Sequence, residues 1–420
     1  MSLNFIDLFA GAGGLSEGFI QAGFEPIAHV EIEKSACNTL KTRTAYHYLK
    51  SNKKYKIYIS YLKGEITREE LYNNVPNEIL ESIINASIGE KNNKKIQKQI
   101  DKYLGSKQVD LIIGGPPCQA YSLVGRSRSK TKMEGDPRNY LFVQYAEFLE
   151  KYKPKMFVFE NVIGLKSAKD GLYLEEMENL FNKKGYKIEL LTLEAKNFGV
   201  LQNRKRIIIL GWQKKKKKIN ISNLEEIRVE KQFMVEDLLK DLPKLKAGQG
   251  IDKFLKYKTE STEYLKSYAL RNGIDVLTQH VTRPHREQDK EIYKIAVQKW
   301  EKKQERLNYN DLPERLKTHN NRTSFFDRFK VVASNLPYSQ TVVAHIAKDG
   351  HYYIHPDIKQ NRSISIREAA RLQSFPDDYY FEGEKEGANR TAAFKQIGNA
   401  VPPLMAKEIA KALKKVINGN

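Results

Sequence analysis

Short apolar runs alternate with helical patterns through the first half of the chain. Buried strands are predicted at residues 4–10, 26–30, 109–113, 155–159, 187–193 and 202–212. Helices are predicted at residues 15–21, 33–44, 139–152 and 174–184. Strands that alternate with helices are typical of an open parallel sheet with helices on both faces, and the pattern predicts this α/β class.

One stretch interrupts the alternation early in the chain. Residues 50–107 are rich in Lys and Asn. Within them, residues 69–80 and 96–104 carry apolar side chains at helical spacing. This pattern predicts a helical insertion with a solvated basic face.

The second half follows a different pattern. The lysine run at residues 214–218 has no core periodicity and marks a boundary. Beyond it the chain is irregular until residues 340–356, which predict a hairpin turning at Asp349-Gly350. Two more helices are predicted, at residues 365–373 and 404–416.

A glycine turn joins the first predicted strand to the first helix. Gly11, Gly13 and Gly14 lie in this turn, where backbone can approach a nucleotide-like cofactor. Glu31 ends the second strand, at the distance along the chain where an acid accepts hydrogen bonds from ribose hydroxyls. Because Gly18 comes late for the third glycine of a dinucleotide fingerprint, the turn favours S-adenosylmethionine over NAD.

A cysteine and a glutamate follow two other apolar strands. Cys118 comes after Gly-Gly-Pro-Pro at residues 114–117, and Glu160 follows the run at 155–159. Taken alone, the cysteine reads as a small buried apolar residue and the glutamate as a helix N-cap. The carboxyl ends of parallel strands meet at one edge, however, so these groups and the glycine turn are expected to face one cleft.

Two arginines and a glutamine are also candidates for this cleft. If the strand begins near Gln202, a period of two places Gln202, Arg204 and Arg206 on one face. Nearby cations are needed to make a buried thiol reactive, since burial alone raises the pKa of a cysteine.

Composition narrows the class of protein. The 420 residues carry a net charge of +21, which suits a polyanionic partner. Two cysteines, Cys37 and Cys118, rule out a disulfide framework, and we expect Cys37 to serve packing. The six histidines of the second half, His280, His285, His319, His345, His351 and His355, lack the tight helical spacing of a metal site, so no metal is expected. With no signal peptide and no apolar run long enough to span a bilayer, we expect a soluble cytoplasmic protein.

A thiol, a carboxylate and guanidiniums beside an adenosyl cofactor suit one reaction. Cytosine C5 is too electron-poor to accept a methyl group directly. Addition of a thiolate to C6 makes C5 nucleophilic, an acid at N3 and N4 assists, and cations stabilise charge at O2.

The motifs and their order resemble the C5-cytosine DNA methyltransferase family, of bacterial restriction–modification type. The matching segments are residues 9–14, 115–122, 160–162, 202–206, 371–377 and 398–403. The resemblance implies a Rossmann-like sheet for a methyltransferase that uses S-adenosylmethionine, plus a smaller, irregular, β-containing target-recognition lobe. It implies a catalytic lobe at 1–212, a recognition lobe at 213–388 with a supporting segment at 362–378, and a return to the catalytic lobe at 389–420.

The resemblance also implies residue roles. The catalytic residues are Cys118 as nucleophile, Glu160 at N3 and N4, and Arg204 and Arg206 near O2. The residues expected around the cofactor are Phe9, Ala10, Gly11, Gly13, Gly14, Leu15, Glu31, Ile32, Pro116, Leu141, Asn399 and Ala400. Those expected to meet the target base or DNA are Gln119, Ser122, Arg126, Arg128, Asn161 and Gln202. The family's acid near the adenine amino group has no clear counterpart, and Glu65 is the candidate.

The expected function is methyl transfer from S-adenosylmethionine to C5 of a flipped cytosine in a specific double-stranded DNA sequence. The expected partner is DNA, with a restriction endonuclease acting on the same sequence but forming no stable complex, and the enzyme is expected to be a monomer. Three alternatives remain at this point: an RNA cytosine-5 methyltransferase, an inactive DNA-binding relative and a Rossmann dehydrogenase. A third cysteine in a Cys-Phe-Thr segment, expected of the RNA enzymes, is absent from the sequence.

Overall fold

The computed structural model describes residues 2–117, 137–215, 231–387 and 389–419. Its strands are β1 (Leu3–Leu8), β2 (Phe24–Glu31), β3 (Ile83–Asn85), β4 (Leu111–Gly114), β5 (Met156–Asn161), β6 (Tyr186–Glu194), β7 (Lys205–Gln213), β8 (Gly250–Ile251) and β9 (His280–Val281). Its α-helices are α1 (Gly14–Gln21), α2 (Lys34–Ser51), α3 (Tyr55–Lys63), α4 (Arg68–Asn73), α5 (Asn77–Glu81), α6 (Glu90–Leu104), α7 (Leu141–Tyr152), α8 (Leu172–Lys183), α9 (Glu263–Ser267), α10 (Glu287–Lys303), α11 (Arg322–Phe325), α12 (Ile366–Leu372), α13 (Arg390–Asn399) and α14 (Pro403–Ile417).

Seven strands form one sheet in the order β3-β2-β1-β4-β5-β7-β6. The neighbours from β3 to β5 pair in parallel, whereas β7 runs antiparallel to both β5 and β6. Strand order reverses between β1 and β4, and such a point leaves a crevice at the carboxyl ends of the strands. The predicted α/β class is confirmed, with one antiparallel strand that the sequence pattern did not show.

Helices cover both faces of the sheet because side chains alternate along each strand. Phe5 of β1 packs in a core with residues of α1 and α14. Its neighbour Ile6 packs on the opposite face with residues of α6, α7 and α8. Helix α14 also lies directly against α1, so the end of the chain completes the layer that its beginning started.

The predicted insertion is divided between two structures. Ile96 and Ile100 of α6 enter the sheet core, and β3 extends the sheet by pairing with β2. Helices α3–α5 instead form a separate cluster with α2, which packs against Tyr380. The single helix expected at 69–80 is broken, because Pro76 lacks the amide hydrogen that a continuing helix needs.

The part of the chain between β7 and α13, which we call the second lobe, contains little regular structure in its described residues, 231–387. Its described residues form one two-stranded ladder, β8 with β9, and the long helix α10, which the sequence reasoning missed. The prediction of a hairpin at residues 340–356 is wrong. Residues Ala344–Ala347 form a 3-10 helix, and the Asp349 carboxylate accepts a hydrogen bond from the His351 amide at 3.1 Å.

No helix in the described part of the chain is long and apolar enough to cross a membrane.

Candidate active site

The turn between β1 and α1 is held in left-handed backbone. Phe9, Gly11 and Gly13 have φ values of 59°, 55° and 80°. At Gly14 a Cβ atom would lie 2.3 Å from the Val401 carbonyl oxygen, so only glycine fits against the start of α14. A Cβ atom at Gly11 would meet nothing within 4 Å, which leaves open space above the turn.

Glu31 closes one side of this space. Its carboxylate accepts hydrogen bonds from the Gly11 amide at 2.7 Å and the Glu33 amide at 2.8 Å. Burial raises the pKa of Glu31 above its ordinary value, although these amide bonds offset part of the rise. Ile32, next in the chain, is 61% exposed and so presents an apolar side chain beside this space.

The other residues expected around the cofactor differ in exposure. Ala10, Leu15 and Pro116 are buried, and Ala400 is 9% exposed. Leu141 begins α7 and is half-buried, while Asn399 is exposed at the end of α13.

An adenosyl donor fits these groups. A carboxylate for ribose hydroxyls, an exposed apolar face for adenine and free space over a glycine turn lie side by side. Within the described ranges, no group of three or more His, Cys, Asp or Glu side chains could hold a metal ion.

Glu160 and Arg206 meet at the same edge of the sheet. The Arg206 Nε atom lies 2.7 Å from Glu160 Oε1, and each side chain is 13% exposed. Gly115 passes directly beside this pair, since a Cβ atom there would lie 2.5 Å from Glu160 Oε2. The backbone that leads to Cys118 therefore runs against the Glu160 carboxylate immediately after β4 ends at Gly114.

Five candidates lie outside the described residues: Cys118, Gln119, Ser122, Arg126 and Arg128.

Arg204 does not share the position of Arg206. Strand β7 begins at Lys205, so the alternation expected from Gln202 onwards does not apply. The Arg204 side chain is fully buried and donates to the carbonyl oxygens of Val342 at 2.6 Å, Gly398 at 3.1 Å and Ala400 at 2.8 Å. The expectation that it lies beside the target base is therefore corrected, and we assign it to holding the site together.

Gln202 is also reassigned. Its side-chain amide donates to the Leu372 carbonyl and to Gln373 Oε1, both at 2.8 Å, and its oxygen accepts from the Val342 amide at 2.8 Å. With its polar atoms bonded to protein and no exposed surface, it does not face DNA as expected.

Asn161 is corrected for a similar reason. It is 1% exposed, and its side-chain oxygen accepts from the Val162 amide at 2.8 Å. It shapes the turn after Glu160 and presents no surface to DNA.

Glu65 is not the residue on the adenine side. It follows α3, is 54% exposed and pairs with Lys63 at 3.8 Å. The residue at the carboxyl end of β3 is Asn85, which pairs in register with Glu31 and donates to the Ile32 carbonyl at 2.8 Å. Sequence reasoning missed Asn85 because a strand of three residues carries no readable alternation.

Cys37 serves packing, as expected. It is 3% exposed in a small core with Ala10, Leu40 and Ile83. Burial raises the pKa of its thiol to about 12, which keeps it protonated and unreactive near neutral pH.

Comparison with known proteins gives concordant results. The model of a family described as C-5 cytosine-specific DNA methylase matches residues 3–66 and 73–415. The type II methyltransferase M.Bpa9945I of Bacillus paralicheniformis is 44% identical, with 99% of both chains covered. The type II methyltransferase M1.HphI of Haemophilus parahaemolyticus is 31% identical, covering 99% of this chain and 88% of that one.

Among solved structures, one prophage-encoded protein of E. coli, described as a DNA modification methyltransferase, has the same fold. The two superpose with a TM-score of 0.66 at 24% identity, over 99% of this chain and 100% of the other.

Proposed function

The chain belongs to the C-5 cytosine-specific DNA methylase family and is a C5-cytosine DNA methyltransferase of restriction–modification type, and from this premise we propose that it methylates a flipped cytosine through a covalent bond to Cys118. The observation that carries the proposal is the Glu160–Arg206 pair beside Gly115, at the edge of the sheet that also holds the glycine turn. Family membership favours this DNA reaction over the RNA and dehydrogenase alternatives.

The first step forms the bond between the Cys118 sulfur and C6 of cytosine and breaks the π bond between C5 and C6. The Cys118 thiolate adds to C6 of cytosine, and the electrons of the C5–C6 double bond become available at C5. Glu160 hydrogen-bonds N3 and N4, which lowers the cost of adding a nucleophile to the ring.

Arg206 has two tasks in this scheme. It holds Glu160 in place through the 2.7 Å ion pair, and its Nη1 donates to the Lys205 carbonyl oxygen at 2.9 Å. We assign Nη2 to O2 of the base. A planar guanidinium suits both tasks because its donors point in fixed directions.

The donor site is the space bordered by Gly11, Glu31 and Ile32. Bound there, S-adenosylmethionine supplies the methyl group that C5 receives. Glu31, which already accepts from the Gly11 amide, would hold the ribose hydroxyls, and the exposed Ile32 side chain would hold the adenine. Loss of the C5 proton to a base and departure of the Cys118 sulfur from C6 then complete the exchange.

The target cytosine has to leave the helix, because its C6 is out of reach inside a stacked duplex. Extrusion costs a few kcal/mol of stacking and pairing. Contacts between basic side chains and DNA phosphates offset this cost, and the net charge of +21 favours such contacts.

The test is covalent trapping on a library of DNA duplexes carrying 5-fluorocytosine, in the presence of S-adenosylmethionine. Fluorine at C5 cannot leave as a proton, so the sulfur–C6 bond persists. We expect an adduct that maps to Cys118, absent in Cys118→Ser. Glu160→Gln should slow its formation by about 100-fold or more.

Glu150→Gln is the matched control for Glu160→Gln. Glu150 is an exposed glutamate near the end of α7 and pairs with Lys184. Because α7 ends just before β5 begins, Glu150 lies at the opposite end of that strand from Glu160. The control variant loses the same charge as Glu160→Gln but not at the site. Its trapping rate should therefore stay within about twofold of the wild type. An adduct on fluorinated RNA alone, or none on either polymer, would contradict the proposal.

A further inference from the structure

We infer that Tyr379 is a positioning residue for the methyl-donor site, held in place by Arg43, and that the second lobe thereby sets the affinity for the donor. This inference rests on the proposed role of the glycine turn. It concerns the α12 tail, defined as residues 373–382, which leads from α12 back to the catalytic lobe.

The first observation is a hydrogen bond into the glycine turn. The Tyr379 hydroxyl donates to the carbonyl oxygen of Ala12, between Gly11 and Gly13. Tyr379 is 1% exposed, and a Cβ atom at Gly13 would lie 2.9 Å from its hydroxyl oxygen. The hydroxyl therefore fills the underside of the turn while the space over Gly11 stays open.

This bond sets the plane of the Ala12–Gly13 peptide. The carbonyl of Ala12 points down to Tyr379, and the Gly13 amide donates to the Ala10 carbonyl at 2.9 Å. Gly13 has the backbone freedom to rotate this peptide, with φ at 80°. Without the hydroxyl, the buried carbonyl loses its acceptor bond and the turn samples other shapes, which weakens a site that needs one shape.

The second observation is what holds Tyr379. The Arg43 guanidinium carbon lies 4.8 Å from the centroid of the Tyr379 ring, and Arg43 donates to Asp378 Oδ1 at 2.8 Å. Arg43 also forms two bonds to Glu17, at 2.6 and 2.9 Å. One buried arginine of α2 thus joins the helix that follows the glycine turn to the α12 tail.

The charges in this cluster are compensated. Burial by itself would raise the pKa of Glu17, but Arg43 and then His47 lower it well below its ordinary value. Glu17 and Arg43 both stay ionised, and a planar fork with five donors is suited to two carboxylates at once.

The test compares two neighbouring tyrosines. Tyr379→Phe removes the hydroxyl under the glycine turn. Tyr380→Phe is the control, because Tyr380 is also buried and its hydroxyl also donates to protein, but to Asp252 instead of the turn. Calorimetry measures the Kd of S-adenosylmethionine without DNA, and thermal unfolding measures Tm.

We expect Tyr379→Phe to weaken donor binding about tenfold, the scale of one hydrogen bond, while Tyr380→Phe stays within about twofold. The Tm of both variants should fall by similar amounts. Arg43→Lys, which keeps the charge but loses the fork, should weaken donor binding by an intermediate factor, and it tests the same inference if Tyr379→Phe does not fold.

Equal changes of Kd in the two phenylalanine variants, or a loss of Tm alone in Tyr379→Phe, would overturn the inference. Wild-type protein that binds no S-adenosylmethionine would instead overturn the proposed donor site. The two failures are therefore distinguishable.

Discussion

At the scale of single residues, the surroundings of a side chain decide its chemistry. Glu31 lies at the end of β2 and Glu160 near the end of β5, at the same edge of the sheet, but the two glutamates have different partners. Glu31 accepts two backbone amides, whereas Glu160 pairs with Arg206. The first arrangement suits a fixed acceptor for a ligand, and the second suits a group that engages a polar base.

The raised pKa of Glu31 makes donor binding sensitive to pH. Ribose hydroxyls need the carboxylate form as acceptor, so affinity falls as pH drops through the pKa of Glu31, and it begins to fall at a higher pH than for an ordinary glutamate. Calorimetry from about pH 8 to about pH 5 should show weakening in the wild type. Glu31→Gln should bind more weakly throughout, with a flatter profile. A parallel decline in both proteins would contradict this assignment.

At the scale of elements, the direction of β7 places Arg206. Because β7 is antiparallel to β5, its first residues lie at the edge where β4 and β5 end. Arg206 thereby reaches Glu160 from a strand that starts there. Arg204, just before the strand, turns the other way and joins Val342 of the second lobe to the Gly398–Ala400 backbone.

The same substitution should affect the two arginines differently, with stability more affected at Arg204 and trapping more affected at Arg206. Arg204→Met removes a donor from the buried carbonyls of Val342, Gly398 and Ala400, of which Ala400 still accepts from the Gln373 side chain at 3.2 Å. It should lower the free energy of unfolding by about 3 kcal/mol, measured by urea titration. Arg206→Met leaves the Glu160 carboxylate without its partner, but this pair keeps some contact with solvent at the edge of the sheet. It should therefore lower the free energy of unfolding by less than Arg204→Met does, while trapping slows by about 100-fold. Similar stability loss in both variants would show that Arg206 is structural too.

At the scale of the whole molecule, charge and lobe packing work together. Lysine and arginine outnumber aspartate and glutamate by 72 to 51, so binding to a polyanion should release many counterions. The helices α3–α5 pack against Tyr380 of the α12 tail, which braces the second lobe from the catalytic side. Packing between the lobes should therefore keep the basic side chains in fixed relative positions.

DNA affinity should therefore fall steeply with salt. Fluorescence anisotropy between about 50 and about 200 mM salt should show a loss of about 1,000-fold or more, as expected for six or more phosphate contacts. The affinity for S-adenosylmethionine serves as the control and should change by less than about threefold, since it depends on buried contacts. A shallow slope for DNA would contradict a binding surface dominated by charge.

Much of the fold could be predicted from the chain alone. Apolar runs that end in glycine or an acid located β1, β2, β4 and β5, because a buried parallel strand needs apolar residues on both faces. The motifs indicated the family, which the comparisons confirmed. They also predicted that the glycine turn, Glu31 and Glu160 lie at one edge of the sheet. The position of each residue at the end of its strand is enough for this prediction.

What the sequence did not determine depends on contacts between distant residues. The antiparallel direction of β7 follows from its pairing with β5, which precedes it by a helix and a strand. The burial of Arg204 and Gln202 follows from partners 138 and 140 positions away. No hairpin forms near Asp349, whose carboxylate instead pairs with Arg328 and accepts from the His351 amide. The tie from Tyr379 to Ala12 spans 367 positions. The periodicity of the sequence shows which face of a helix or strand is apolar. The hydrogen-bond partner of a buried polar side chain is decided only when helices and strands pack together, because the bonds of that side chain must then be satisfied within the protein.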